Sequence, residues 1–273
     1  MIKSEGVSFR YDGALSDAID NIDFNISRGE FVAILGHNGS GKSTLAKLVN
    51  ALLLPTKGNL FVKDFNTSDE SKLWDIRQSV GVIFQNPDNQ MVATVVEEDV
   101  AFGPENLGLP PSEIKERVSY ALNAVGMEEF RRFSPHFLSG GQKQKIAIAG
   151  IIAMKPDCIV LDEPTAMLDP MARKDIISTI RYLNQNYTIT VLYITHFMEE
   201  AVEADRIIIL NKGHIEFTGT PEDVFSQVKR LKKLHLDVPQ VTELSFNLRT
   251  MGFKIPRNIL TLDEMVKHIC PLE

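Results

Sequence analysis

Phe31-Val32-Ala33-Ile34-Leu35 is apolar at every position and runs directly into Gly36-His37-Asn38-Gly39-Ser40-Gly41-Lys42-Ser43. An uninterrupted apolar run this short reads as a strand buried on both faces, as in a parallel sheet. The glycine-rich octet has the full G-x-x-x-x-G-K-S spacing and leads into a helix-compatible stretch from about Lys42 to Leu53. Glycines let the chain curl so that successive backbone N–H groups face one anion, and the following helix adds its positive end. Lys42 has the reach for β and γ phosphates, and the Ser43 hydroxyl suits Mg2+. A chain built on this strand, loop and helix is committed to an α/β core with a phosphate site at the carboxyl end of a strand.

The rest of the chain supports that core. Short apolar strands are expected at Val80–Phe84, Cys158–Leu161, Thr190–Ile194 and Ile207–Leu210, with helices at Pro111–Val125, Gly141–Ala153, Met171–Asn184 and Met198–Ala204. Such alternation predicts a mostly parallel sheet. Gly6–Tyr11 and Ile22–Ile26 instead alternate apolar with polar residues on either side of the Asp12-Gly13 turn, which predicts an antiparallel edge sheet. Residues 87–153 are mainly helical in pattern and read as a helical subdomain inserted between two core strands. Thr220-Pro221-Glu222-Asp223 is a helix start, and one helix is expected to run from it to Lys229, Arg230, Lys232 and Lys233, cations suited to a helix end. Residues after Val241 are expected to form a small α/β tail with Leu244, Phe246, Leu248 and Met251 for packing. The division is therefore a core of residues 1–220 and a C-terminal extension of residues 221–273.

Composition narrows the function. With 44% hydrophobic and 24% charged residues among 273, the chain can bury a sizeable core. Lys plus Arg is 29 against 36 Asp plus Glu, and the net charge of −7 argues against nucleic acid as a partner, which calls for a concentrated basic surface. Cys158 and Cys270 are too few for a disulfide scaffold or a cysteine-only zinc site, so reduced intracellular chemistry is expected. Met1–Tyr11 carries Lys3, Glu5 and Arg10 without the apolar stretch of a signal peptide. No segment supplies the run of about 18 to 20 apolar residues that spans a bilayer, although attachment to a membrane protein stays open.

Further candidates cluster at strand ends. Cys158-Ile159-Val160-Leu161 carries Asp162 to the sheet edge, where an acid can organise magnesium, and Glu163 directly after it is placed to orient water. Gln85 follows the strand ending Ile83-Phe84, and its amide can ligate or bridge to magnesium. Thr195-His196 follows the Thr190–Ile194 strand, a place where an isolated His is most often structural. Leu138-Ser139-Gly140-Gly141-Gln142 opens a helix, and its serine and glycines allow backbone N–H groups to approach an anion. One chain thus owns two phosphate-facing helix ends, which makes a composite dimeric site attractive.

This ordered set, with Leu168-Asp169, resembles the ATP-binding cassette ATPases over roughly residues 1–220. The resemblance implies a P-loop NTPase core with an antiparallel edge sheet, an inserted helical subdomain and a small C-terminal α/β extension. It implies ATP with Mg2+, held by residues 36–44 through Thr44, with Tyr11 stacking on adenine and Ser43, Gln85 and Asp162 at the metal. It gives catalysis to Lys42, Gln85, Glu163 and His196, the last as γ-phosphate sensor, and communication across a head-to-tail dimer to Asp169. Leu138, Ser139, Gly140, Gly141 and Gln142 would act on the partner's ATP.

More narrowly, Gln85-Asn86-Pro87-Asp88-Asn89-Gln90, the run from Val96 to Gly103 and Leu236-Asp237-Val238-Pro239 are similar to the ATPase subunits of energy-coupling factor importers of vitamins or transition-metal ions. That likeness implies a second homologous ATPase subunit, a heterodimer favoured and a homodimer open. It also implies a transmembrane scaffold, a substrate-binding membrane subunit, and residence on the cytoplasmic face of the cell membrane. Residues near Gln85 to Phe102 would receive coupling helices, and the C-terminal extension would hold the ATPase pair together. Another class of ABC transporter or a soluble ATP-driven switch are the alternatives. His37 and Lys145 depart from the family's frequent Pro and Arg without removing any phosphate donor, acid or sensing His.

Overall fold

The computed structural model describes residues 1–269, so Cys270 lies outside the described residues. Strand β1 (Ile2–Phe9) pairs antiparallel with β2 (Ile19–Ile26), placing Ile2 opposite Ile26 and Val7 opposite Ile22. Strand β3 (Phe31–Leu35) is buried along its whole length and delivers the chain to the glycine-rich loop. Helix α1 (Lys42–Val49) stops earlier than the sequence pattern suggests. Ala51 turns left-handed at φ 54°, and the N–H groups of Ala51 and Leu52 donate back to the carbonyls of Leu48 and Lys47 at 3.0 and 2.9 Å. That closure satisfies the last carbonyls and ends the helix.

Strands β4 (Lys57–Val62) and β5 (Phe65–Asn66) enlarge the expected edge sheet to four strands, in the order β2-β1-β4-β5. Helix α2 (Leu73–Ser79) leads into β6 (Val80–Ile83). Until the next strand the regular elements are helical, chiefly α3 (Val96–Asn106), α4 (Pro111–Ala124) and α5 (Gly140–Ala153). The core then resumes with β7 (Cys158–Asp162), α6 (Pro170–Tyr187), β8 (Thr190–Ile194), α7 (Met198–Ala201), β9 (Arg206–Asn211) and β10 (His214–Gly219). The six-stranded sheet has the order β10-β9-β3-β8-β7-β6, parallel except where β10 pairs with β9.

This sheet is covered on both faces, which is why its strands read as continuous apolar runs. Phe31, Ala33 and Leu35 enter one core with Ile159, Leu161, Val191, Tyr193, Ile207 and Ile209, beneath the inserted helices and α6. Val32 and Ile34 enter the other with Cys158, Val160, Leu192, Ile194, Ile208 and Leu210, beneath α1 and the antiparallel sheet. At Gly81 in β6, a Cβ would lie 2.1 Å from the Cγ2 of Ile151, so a glycine is needed for α5 to approach the strand.

The carboxyl-terminal expectations need three corrections. Helix α7 ends at Ala201 rather than Ala204. The single helix expected from Pro221 to the basic run is two, α8 (Pro221–Phe225) and α9 (Val228–Lys233), because a bend at Ser226-Gln227 buries Val224 and Phe225 together with Val228 and Leu231. The tail after Val241 is not α/β among the described residues: its regular elements are α10 (Gln240–Thr250) and α11 (Leu262–Ile269). Carbonyls that a strand ladder would have used are taken by side chains of α10, Thr242 Oγ1 donating to Ile259 O and Ser245 Oγ to Pro256 O, both at 2.6 Å. The basic run makes intrachain contacts, with Arg230 stacked 4.0 Å over the Phe217 ring and Lys232 paired with Glu243.

Candidate nucleotide site

The loop after β3 is held tightly. Gly41 has φ 105°, and a Cβ there would lie 2.5 Å from the Ala18 carbonyl oxygen. A Cβ at Gly36 would lie 2.4 Å from both Leu210 O and Ser40 Oγ. No other residue type fits these two positions without moving the backbone. Lys42 is only 5% exposed and donates from Nζ to the carbonyls of Gly36 at 2.8 Å and His37 at 3.2 Å. Burial pulls its pKa below the usual lysine value, against the opposing pull of Glu163 and then Asp162.

Two acids meet this lysine from β7. Ser43 Oγ donates to Asp162 Oδ1 at 3.1 Å, and burial pushes the Asp162 carboxyl up, with the Ser43 bond opposing and Glu163 adding to the shift. A cation beside Asp162 would offset this desolvation, and the hydroxyl, carboxylate and nearby Gln85 amide are the hard oxygen donors that Mg2+ prefers. Glu163 Oε1 is 4.0 Å from Lys42 Nζ, while its Oε2 is 3.2 Å from His196 Nδ1. Glu163 is a non-glycine residue at φ 51°, and its N–H donates to Ile194 O at 2.9 Å. The parallel register that sets Asp162 beside Ile194 thus brings Glu163 and His196 together at adjacent strand ends.

A cavity of about 510 Å3 collects Tyr11, Asn38, Gly39, Gly41, Lys42, Ser43, Thr44, Gln85, Asp162 and Glu163. Tyr11 sits at its rim, hydroxyl 3.1 Å from Thr44 Oγ1 and ring edge-on to Phe9 at 4.9 Å. Ala18 also lines the cavity and was missed in the sequence, since an alanine whose carbonyl packs on Gly41 carries no chemical signature. His37 turns away: its ring nitrogens meet Asn38 O at 2.7 Å and Asn211 Oδ1 at 2.9 Å, so it braces the loop against β9. Ser40 is buried, and among the described residues its hydroxyl has no hydrogen-bond partner.

The second anion-facing helix end is built but stands apart. Ser139 Oγ accepts from the Gln142 N–H at 3.3 Å, and Gln142 Oε1 accepts from the Ser139 N–H at 2.9 Å, a reciprocal cap on α5. A Cβ at Gly140 would meet Leu168 at 3.2 Å, and one at Gly141 would meet Ala172 at 3.1 Å, so this loop lies against the start of α6. None of residues 138–142 lines the phosphate-loop cavity. Asp169 caps α6, accepting from the N–H groups of Met171 and Ala172 at 2.9 and 3.0 Å, bonds that hold its carboxyl below the usual range. Lys145 pairs with Asp175 at 2.7 Å, also on α6.

A groove of about 320 Å3 runs between α2, α3 and α5, walled by Trp74, Phe102, Leu107, Ile151 and Met154 with Arg77 and Asp99 at hand. Trp74 and Phe102 are well exposed there, and Asp99 Oδ1 shapes one wall by accepting from the N–H groups of Val92 and Ala93 at 2.7 and 3.1 Å. Among the described residues no helix is long and apolar enough to cross a membrane.

Known proteins resemble this chain over most of its length. The family model described as ABC transporter matches residues 19–166. The energy-coupling factor transporter ATP-binding protein EcfA1 of Caldanaerobacter subterraneus subsp. tengcongensis is 61% identical, over 99% of each chain. Among solved structures, cbiO1 from Clostridium perfringens, described as part of the ABC transporter complex cbiONQ, superposes with TM-score 0.79 at 36% identity, covering 89% of this chain and 97% of that one. A dimeric post-hydrolysis state of the ATP-binding cassette MJ0796, bound to ADP and Pi, gives TM-score 0.72 at 32% identity, over 81% and 99% of the two chains.

Proposed function

Since the chain belongs to the ABC transporter family, we propose that it hydrolyses ATP to energise membrane import of a micronutrient, a vitamin or transition-metal ion, as the nucleotide-binding subunit of an energy-coupling factor transporter. The observation that carries this reading is the convergence of Lys42, Ser43, Gln85, Asp162 and Glu163 on one cavity while Ser139 to Gln142 face elsewhere. A site with its anion-binding parts split in this way is complete only when a second cassette supplies the other part.

The residues divide the work. The loop N–H groups and Lys42 hold the phosphates, Lys42 exchanging its bonds to Gly36 and His37 for phosphate oxygens. Ser43, Asp162 and Gln85 would hold Mg2+, which when bound neutralises charge on the β and γ phosphates. Glu163 orients the attacking water, and His196, steered by its contact with Glu163, senses the γ phosphate. Tyr11 supports the adenine, and Ser139, Gly140 and Gly141 complete the partner's site. Asp169, beside that signature, passes its state across the dimer.

The groove between α2 and α5 takes the coupling helices of a transmembrane scaffold, so opening and closing of the cassette pair becomes movement in the membrane. A substrate-binding membrane subunit completes the complex, and this chain sits on the cytoplasmic face with a homologous ATPase subunit, held partly by residues 221–273. ATP turnover and transport in the assembled complex test the reading with wild type, Lys42→Ala and Glu163→Gln. Both activities should be lost in the variants, and retention of both in both variants rejects it.

A further inference from the structure

Behind Glu163 and His196 lies a buried carboxylate that the mechanism above leaves unused. Glu200, on α7, is 5% exposed. Its Oε1 accepts from Thr165 Oγ1 at 2.6 Å, and its Oε2 accepts from Thr195 Oγ1 at 2.6 Å and the Tyr193 hydroxyl at 3.1 Å. All three donors are themselves buried. Thr195 Oγ1 also accepts from the Phe197 N–H at 3.0 Å.

The positions of these donors give the cluster its meaning. Thr165 lies just beyond Glu163 on the segment leaving β7, and Thr195 immediately precedes His196 on the segment leaving β8. The ladder joining those strands ends at the bond from Glu163 N–H to Ile194 O, so the ladder does not hold the two segments together beyond that point. Glu200 grips one with each carboxylate oxygen. Arg173 adds a second strap, donating to Leu168 O at 2.8 Å and stacking 3.6 Å over the Phe197 ring. A carboxylate accepts from hydroxyls at both oxygens, an arrangement that no other side chain of this length reproduces.

We propose that Glu200 is a positioning residue for ATP hydrolysis: by clamping Thr165 to Thr195 it sets the separation of Glu163 and His196 and makes the two segments move as one. This rests on the reading that Glu163 and His196 act on ATP. Misplacing such groups by about 1 Å lowers turnover steeply while leaving ground-state binding nearly intact.

The test is steady-state ATP hydrolysis by the full chain in its assembled complex. Thr165→Val and Glu200→Gln are expected to lower kcat about tenfold or more, with KM for ATP within about twofold. Thr165→Ser, which restores the hydroxyl, is expected to keep wild-type kcat. Glu163→Gln and His196→Ala serve as reference arms. If either keeps wild-type turnover, the underlying reading fails and the proposal with it. If both lose turnover while Thr165→Val and Glu200→Gln keep wild-type kcat, the clamp alone is overturned. It is overturned equally if Thr165→Val loses turnover, ATP affinity and thermal stability in parallel and Thr165→Ser does not rescue it.

Discussion

Glu163 reaches His196 with one carboxylate oxygen at 3.2 Å and Lys42 with the other at 4.0 Å. Its backbone adopts the left-handed conformation at φ 51°, which costs a non-glycine residue of order 1–3 kcal/mol. That conformation follows directly on the bond from its N–H to Ile194 O, which anchors the turn. The strain therefore sits at the residue on which the proposed chemistry depends.

Glu163→Gln keeps the shape of this side chain and removes its charge. Turnover is expected to fall by about 10^2 or more, the usual contribution of a positioned base, while ATP binding persists and a closed ATP-bound assembly accumulates. Phosphate release in a single turnover, set beside equilibrium ATP binding, separates the two effects. Turnover within a factor of two of wild type would contradict the assignment.

Asp162 makes a pH-dependent prediction. Burial raises its folded-state pKa, so its contribution to stability is most favourable below the unfolded value and is lost as pH rises through the folded one. Above the unfolded value the nucleotide-free protein bears a growing cost for ionising this buried group. Asp162→Asn is therefore expected to raise the Tm of nucleotide-free protein near pH 7, with a gain that shrinks toward about pH 4. The same variant should lose the Tm increase produced by ATP with Mg2+. Thermal scans across pH check both, and a gain that grows on acidification would reverse the sign.

Gly81→Ala forces a methyl to within 2.1 Å of Ile151 Cγ2, between β6 and α5. Overpacking of this kind is expected to cost about 1–3 kcal/mol in denaturant unfolding. Combining it with Ile151→Ala removes the clashing atom, so the double variant should be less destabilised than the sum of the singles by about 1 kcal/mol. Strict additivity would show that the contact is not the cause.

Phe102 is half exposed on the groove between α2, α3 and α5. Phe102→Glu is expected to leave ATP affinity unchanged and to abolish co-purification with the membrane subunits. Assembly at wild-type yield would remove this groove from the proposed coupling path.

How much of this was legible depended on the distance over which each feature is specified. Strands β3, β7, β8 and β9 could be read because both faces are buried, leaving no polar position to interrupt them. Strands β4 and β10 went unread: Lys57-Gly58-Asn59 is exposed, and β10 alternates between half-buried and exposed positions, so pairing with remote partners decides their state. The bend at Ser226-Gln227 was hidden because helix propensity continues through it, whereas burial of Phe225 and Val228 does not permit one straight helix.

The octet from Gly36 to Ser43 was settled by its own residues, since glycine torsions, a lysine of sufficient reach and a hydroxyl one position later are properties of contiguous chain. The same holds for the reciprocal cap of Ser139 with Gln142. Only the packed sheet decided that His196 meets Glu163, that His37 braces the loop against Asn211, and that Glu200 ties Thr165 to Thr195. Those pairings follow from the register of strands far apart in the chain, and register is chosen by which side chains fill two cores at once rather than by any local preference.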